Sequence, residues 1–156
     1  MSMVRGNLGW RVVLCSVAAS AVFLAGCPVP RYDPKLEAAS TSWKAQVGRF
    51  IAEAEASAGT PSGEYESEGN KQFYTDMQNA IGGQIAQTRA VSGSPRAVEI
   101  MELLSKDIEN LRKLHESNGK SGLTSELGDP ARAAIETELR ALDKLQSELR
   151  SGSDNG

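Results

Sequence analysis

The fold of this chain is decided by residues 94–119, which read SPRAVEIMELLSKDIENLRKLHESNG. Ser94 is a good helix cap, Pro95 suits the first helical position, and Gly119 suits the end of a helix. Between them, apolar residues recur at alternating spacings of four and three: Ala97, Met101, Leu104, Ile108 and Leu111. A second set widens this face: Val98, Ile100, Leu103 and Leu114. The periodicity predicts a helix from about 95 to 117 with one face in a core.

The same opening of a capping residue followed by proline occurs twice more, at Asp33-Pro34 and Asp129-Pro130. The first predicts a helix over 34–57, with apolar positions at Leu36, Trp43, Val47, Phe50, Ile51 and Ala54. The second predicts a helix that ends at 150, with apolar positions at Ile135, Leu139, Leu142, Leu145 and Leu149. We expect residues 151–156 to form a disordered tail.

A weaker helical segment covers residues 70–90, with Asn70 as its candidate cap. Its apolar stripe comprises Phe73, Met77, Ala80, Ile81 and Ile85. Gly82-Gly83 interrupts it, at a cost of about 1 kcal/mol per glycine relative to alanine. The pair indicates either a local kink or a close approach of the backbone to a neighbouring helix.

We therefore predict an all-α fold, an antiparallel four-helix bundle over residues 34–150. The link between the second and third helices is short, so these two should be antiparallel neighbours. The links at 58–69 and 118–129 are longer. In an up-down-up-down arrangement both long links lie at the end opposite the start of the first helix.

The N-terminus has the composition of a targeting segment. Residues 1–26 contain two arginines, no acidic residue and an apolar run from Val12 to Leu24. The run is shorter than the roughly 20 residues that span a bilayer as a helix. The apolar run therefore predicts a secretory signal peptide. The alternative interpretation is a plain transmembrane anchor.

The end of this segment, Leu24-Ala25-Gly26-Cys27, resembles the lipobox of bacterial lipoproteins. The resemblance implies cleavage before Cys27, acylation of Cys27 with chains such as palmitate, and attachment to a bacterial membrane facing the periplasm. Pro28 stands where aspartate would favour retention in the inner membrane, so the outer membrane is favoured. Residues 27–33 then form a short lipidated tether. The alternative is an ordinary signal peptide with a chance cysteine.

Composition excludes several classes of function. The net charge is −3, from 17 basic and 20 acidic residues, without the basic stripe that nucleic-acid binding needs. Cys15 lies in the signal segment, so the mature chain has no internal disulfide. His115 is the single histidine, and we assign it to helix termination rather than to a metal site. The triplet Gly119-Lys120-Ser121 lacks the earlier glycine of a phosphate-binding loop. We predict no enzyme activity and no cofactor.

The long links supply the candidate site. One carries Glu64, Tyr65, Glu66 and Glu68, and the other carries Leu123. An exposed aromatic residue in an acidic loop is a good anchor for a protein interface, so we predict a partner-docking patch from these five residues. The alternative is that the acidic and basic loops are solvated or pair weakly with each other, which contributes about 0–1 kcal/mol.

The expected role is therefore that of a structural, adaptor or partner-binding lipoprotein of the bacterial envelope, with an envelope protein as its partner. One alternative is a carrier of a small apolar ligand or a metal between its helices, with Trp43 and Phe50 lining the cleft and Gly82-Gly83 as a movable wall. Another is a homo-oligomer that self-associates through the face of the third helix.

Overall fold

The computed structural model describes residues 30–91 and 93–153, which form an antiparallel four-helix bundle, as predicted. The helices are α1 (Pro34–Ala56), α2 (Glu68–Val91), α3 (Pro95–Ser117) and α4 (Ser125–Ser153), with a 3-10 turn at Gly119–Ser121. The predicted signal peptide, residues 1–26, and the predicted acylation site Cys27 lie outside the described residues. No helix within the described part of the chain is long and apolar enough to cross a membrane.

Two of the three predicted helix openings are confirmed. The Asp33 carboxylate accepts hydrogen bonds from the backbone N–H groups of Lys35 and Leu36, at 2.9 and 3.3 Å. The Ser94 hydroxyl accepts one from the N–H of Ala97 at 3.3 Å. Each cap satisfies helix N–H groups that have no partner within the helix, so α1 and α3 begin where the sequence predicts.

The predicted bounds of α4 are wrong at both ends. The helix begins at Ser125, so Pro130 lies inside it rather than at its first position. Leu127, in the first turn, is partly buried against the core, and this packing favours the helical turn that precedes Pro130, although proline cannot donate its backbone hydrogen bond. At the other end α4 continues to Ser153, so residues 151–153 are helical rather than a disordered tail.

In α2 the predicted cap is also wrong. The helix begins at Glu68, and Asn70 lies within its first turn, where its side-chain amide donates to the carbonyls of Ser62 and Glu64 at 3.1 and 2.8 Å. The helix runs unbroken through Gly82-Gly83. A Cβ atom built on either glycine meets nothing within 4 Å, so the expectation of a close backbone approach is not met.

Side-chain pairs fix the order of the helices. Phe50 of α1 stacks on Phe73 of α2, with ring centroids 3.7 Å apart. The Gln78 amide of α2 donates to the Ser105 carbonyl of α3 at 2.8 Å. Ser40, near the start of α1, donates to Asp143, near the end of α4, at 2.6 Å. Each helix therefore runs antiparallel to its neighbours, and α4 also packs on α3.

The core lies along the middle of the bundle and confirms most of the predicted apolar stripes. All six apolar positions predicted for α1 are buried, including Trp43 and Phe50, and so are Met77 and Met101. Leu103 and Leu114 instead remain 46% and 37% exposed, because they lie on the solvent side of α3. Ala80 of α2 is also exposed, whereas Tyr74, which is not part of the predicted stripe, is buried in the core.

Candidate functional site

Both longer links lie at one end of the bundle, hereafter the loop end, which comprises residues 57–67 and 118–124. The Gly59 N–H donates to the Ser121 carbonyl at 3.1 Å and so joins the two links. Gly122 has a φ of +67°, and a Cβ built on it would lie 2.5 Å from the carbonyl oxygen of Gly63. The two links are therefore packed backbone against backbone, and glycine is what permits this approach.

His115 ties this end to the helices, which corrects its assignment to helix termination. Its side chain is fully buried. Nε2 lies 2.8 Å from the Gly63 carbonyl oxygen, and Nδ1 lies 3.0 Å from the Tyr74 hydroxyl. A carbonyl can only accept, so Nε2 carries a proton, and in the neutral imidazole Nδ1 then accepts from the Tyr74 hydroxyl. The neutral imidazole thus bridges α2, α3 and the first link.

Burial sets the protonation of this bridge. It lowers the pKa of His115 below the ordinary 6.5, although the hydrogen bond to Gly63 partly opposes this effect. Burial also raises the pKa of Tyr74 far above its ordinary value, so the hydroxyl keeps its proton and remains a donor. Both groups are neutral in the folded protein at neutral pH.

This arrangement predicts a pH-dependent stability. The pKa of His115 is lower in the folded protein than in the unfolded chain, so the unfolded chain takes up a proton at a higher pH. The free energy of unfolding therefore decreases as the pH drops below about 6.5. The contribution of one histidine reaches at most about 1.4 kcal/mol per pH unit between the two pKa values. Histidine titrates over about pH 7.5 to 5.5. We expect urea denaturation at pH values across this range to show the decrease in the free energy of unfolding.

The matched variant is His115→Gln, whose amide can donate to Gly63 and accept from Tyr74 but cannot titrate. Its stability should change less over the same pH range than that of the wild type. Equal pH slopes for the two proteins would contradict the buried neutral imidazole.

Tyr65 lies over this network and is held by two cations. Its hydroxyl accepts a hydrogen bond from Arg112 at 3.2 Å, and the Arg112 guanidinium and the Lys71 ammonium each lie 5.9 Å from its ring centroid. The ring also packs edge-on against His115, with centroids 6.0 Å apart. Tyr65 is therefore only partly exposed and has a fixed orientation.

Arg112 is fixed in turn by two carboxylates of α3. It forms ion pairs with Glu109 and Glu116, each at 2.8 Å. Chiefly through its hydrogen bonds to Glu109 and Tyr65, the pKa of Arg112 is raised, and Arg112 lowers the pKa of Glu109. The cation that orients Tyr65 is thus charged at every physiological pH.

The structure brings together four of the five predicted site residues. Glu64 and Tyr65 are half-buried, whereas Glu66 and Glu68 are exposed, and Glu66 forms an ion pair with Lys71. Leu123 is fully buried in the core and cannot form part of a docking patch, which corrects that prediction. The surface that remains is acidic, with one oriented tyrosine.

Sequence reasoning missed Tyr74, Arg112 and Lys71. Tyr74 lies three residues before Met77 and seven before Ile81, a spacing that also predicts a core position. It was not predicted because the apolar stripe was drawn through the adjacent Phe73. Arg112 and Lys71 lie on polar helix faces, and only the packing of the link against those faces shows their role. No three His, Cys, Asp or Glu residues in the described ranges form a group that could hold a metal ion.

The opposite end, hereafter the turn end, carries the start of α1, the turn between α2 and α3, and the end of α4. The Tyr32 hydroxyl donates to Glu37 at 2.5 Å and accepts from Arg150 at 2.9 Å, and Arg150 also pairs with Glu37. The Asp33 N–H donates to the buried Gln146 side chain at 3.0 Å. The chain is therefore attached to α4 from Tyr32 onward.

Comparison of the chain with protein families, with curated proteins and with solved structures gives no match.

Proposed function

We propose that this protein is a bacterial envelope lipoprotein, anchored through acyl chains on Cys27, whose helical bundle binds a partner protein rather than catalysing a reaction. The apolar run before Leu24-Ala25-Gly26-Cys27 supports the anchor. Pro28 favours the outer membrane, with the bundle facing the periplasm. Two or three acyl chains hold a protein on a membrane stably, whereas a single chain does not.

The observation that carries the binding role is the concentration of acidic charge around the loop end. The half of the bundle that contains it, residues 46–79 and 107–139, has 13 acidic and 6 basic residues, a net charge of −7. Glu66 and Glu68 are exposed within it. Charge of this density attracts a surface of opposite sign, so the proposed partner presents a basic patch.

The oriented Tyr65 suits the centre of such an interface. Its ring is held by Arg112, Lys71 and His115, so little side-chain entropy remains to be lost on binding. Aromatic residues with an apolar ring and a polar tip are common interface anchors.

Site-specific photo-crosslinking in the producing bacterium tests this role. A photoreactive residue placed at Glu66 of the full chain should give a discrete crosslinked product. The same residue at Lys106, which is exposed in the middle of α3, should give none. Adding Glu64→Lys and Glu68→Lys should abolish the product while leaving the thermal unfolding midpoint within a few degrees of wild type. Equal crosslinking at the two positions, or a product that survives the charge reversal, would contradict the proposal.

A further inference from the structure

The bundle is electrically polarised along its length. The half that contains the turn end, residues 30–45, 80–91, 93–106 and 140–153, has 9 basic and 6 acidic residues, a net charge of +3. The other half has a net charge of −7. The turn end is therefore basic although the whole chain is acidic. Its outermost cationic residues are Arg31, Lys35, Arg89, Arg96 and Arg150.

An exposed apolar side chain lies at this basic end. Val91, the last residue of α2, is 73% exposed, more than any other large apolar residue described. In the chain it stands between Arg89 and Arg96, whose side chains are 61% and 66% exposed and form ion pairs with Glu102 and Glu99 respectively. Exposed apolar area and neighbouring cations both favour contact with the headgroup region of an anionic bilayer.

Helix register places Val91 level with the start of α1. Phe50 stacks on Phe73, and the two helices are antiparallel. Counting back 16 residues from Phe50 reaches Pro34, the first residue of α1, and counting forward 16 residues from Phe73 reaches Arg89. Since α-helices share one rise per residue, Pro34 and Arg89 lie at about the same height along the bundle, and Tyr32 and Val91 each follow two residues further toward the turn end.

The chain leading to Cys27 leaves from this same end. Tyr32 is fixed to α4 by Arg150, so only residues 28–31 separate the attached chain from Cys27. Five residue steps of extended backbone reach at most about 18 Å. The turn end thus stays within about two Debye lengths of a surface that holds Cys27.

We propose that the turn end docks on an anionic lipid surface, with Val91 in the headgroup region and the flanking arginines on lipid phosphates. This docking rests on the proposed function, because the lipid on Cys27 is what brings the chain to the membrane. Attraction of the basic end and repulsion of the acidic end favour the same orientation. The bundle therefore stands along the membrane normal with Tyr65 directed away from the bilayer.

Lipid quenching of a site-specific fluorophore tests this orientation. The acylated full chain, carrying Val91→Cys or the control Ser62→Cys at the loop end, is labelled and reconstituted into vesicles that contain headgroup-labelled nitroxide lipid. With phosphatidylglycerol in the vesicles, the probe at position 91 should be quenched several-fold more than the probe at position 62. The difference should shrink in pure phosphatidylcholine, and Arg89→Gln with Arg96→Gln should reduce it.

Equal quenching at both positions, or quenching at position 91 that ignores lipid charge, would overturn the docking. Intact mass measured beforehand separates this failure from failure of the anchor. If no acyl mass is present, the anchor proposal fails, and chains that also carry Cys15→Ser and Cys27→Ser, so that the label is confined to position 91 or 62, are added to preformed anionic vesicles. Quenching at position 91 there supports docking without the anchor, and its absence overturns docking as well.

Discussion

Replacing Leu104 with alanine is expected to lower the free energy of unfolding by about 2–5 kcal/mol. Leu104 is 1% exposed, and α3 packs against both α2 and α4. Removing its branched end leaves a cavity among side chains that are held by three helices and cannot collapse freely. A loss of this size is a large part of the roughly 5–15 kcal/mol that stabilises a domain of this kind.

The adjacent residue supplies the control, because Leu103→Ala is the same chemical change one position away. Leu103 is 46% exposed, so its truncation should alter the free energy of unfolding by no more than about 0.5 kcal/mol. Urea denaturation of both variants, followed by far-ultraviolet circular dichroism, measures the difference. Similar losses in the free energy of unfolding for the two variants would contradict the placement of Leu104 in the core and Leu103 on the solvent side of α3.

Gly122→Ala is expected to cost about 2–4 kcal/mol, for two separate reasons. The residue has φ +67° and ψ −160°, a region that only glycine adopts readily. Its new Cβ would also lie 2.5 Å from the carbonyl oxygen of Gly63. Because that carbonyl accepts from His115, relief of the clash must also disturb the buried imidazole.

Gly119→Ala separates the two reasons. Gly119 also has a positive φ, +56°, but a Cβ on it meets nothing within 4 Å. It should therefore cost only the conformational penalty, about 1–2 kcal/mol. The unfolding midpoint and the His115 ring resonances report stability and the imidazole bridge respectively. If Gly119→Ala proved as harmful as Gly122→Ala, or shifted the His115 resonances equally, the close packing of the two links would be contradicted.

The starts of α1 and α3 could be predicted because their signals are local. In each, a capping side chain, a proline and an apolar period fall within a few residues of one another, and no distant contact is needed. The start of α4 could not be predicted in the same way. Its first turn forms because Leu127 packs on the core, and that burial depends on the other helices.

In the candidate site, too, the features that depend on local sequence could be predicted, and those that depend on distant contacts could not. Link lengths were enough to predict that both long links lie at one end. The role of His115 could not be predicted, because its two partners, Tyr74 and Gly63, lie 41 and 52 residues away in the chain. Leu123 was misplaced because a single apolar residue in a polar link has no periodicity to show which way it faces. Its burial emerges only from the packed structure.

Intact-mass analysis and membrane fractionation of the wild type beside Cys27→Ser test whether Cys27 carries the lipid that holds this bundle on a membrane. The wild type is expected to begin at Cys27, carry acyl mass and pellet with membranes. The variant should lack acyl mass and either retain residues 1–26 or be released. A wild type without acyl mass that fractionates like Cys27→Ser would contradict lipid attachment at Cys27.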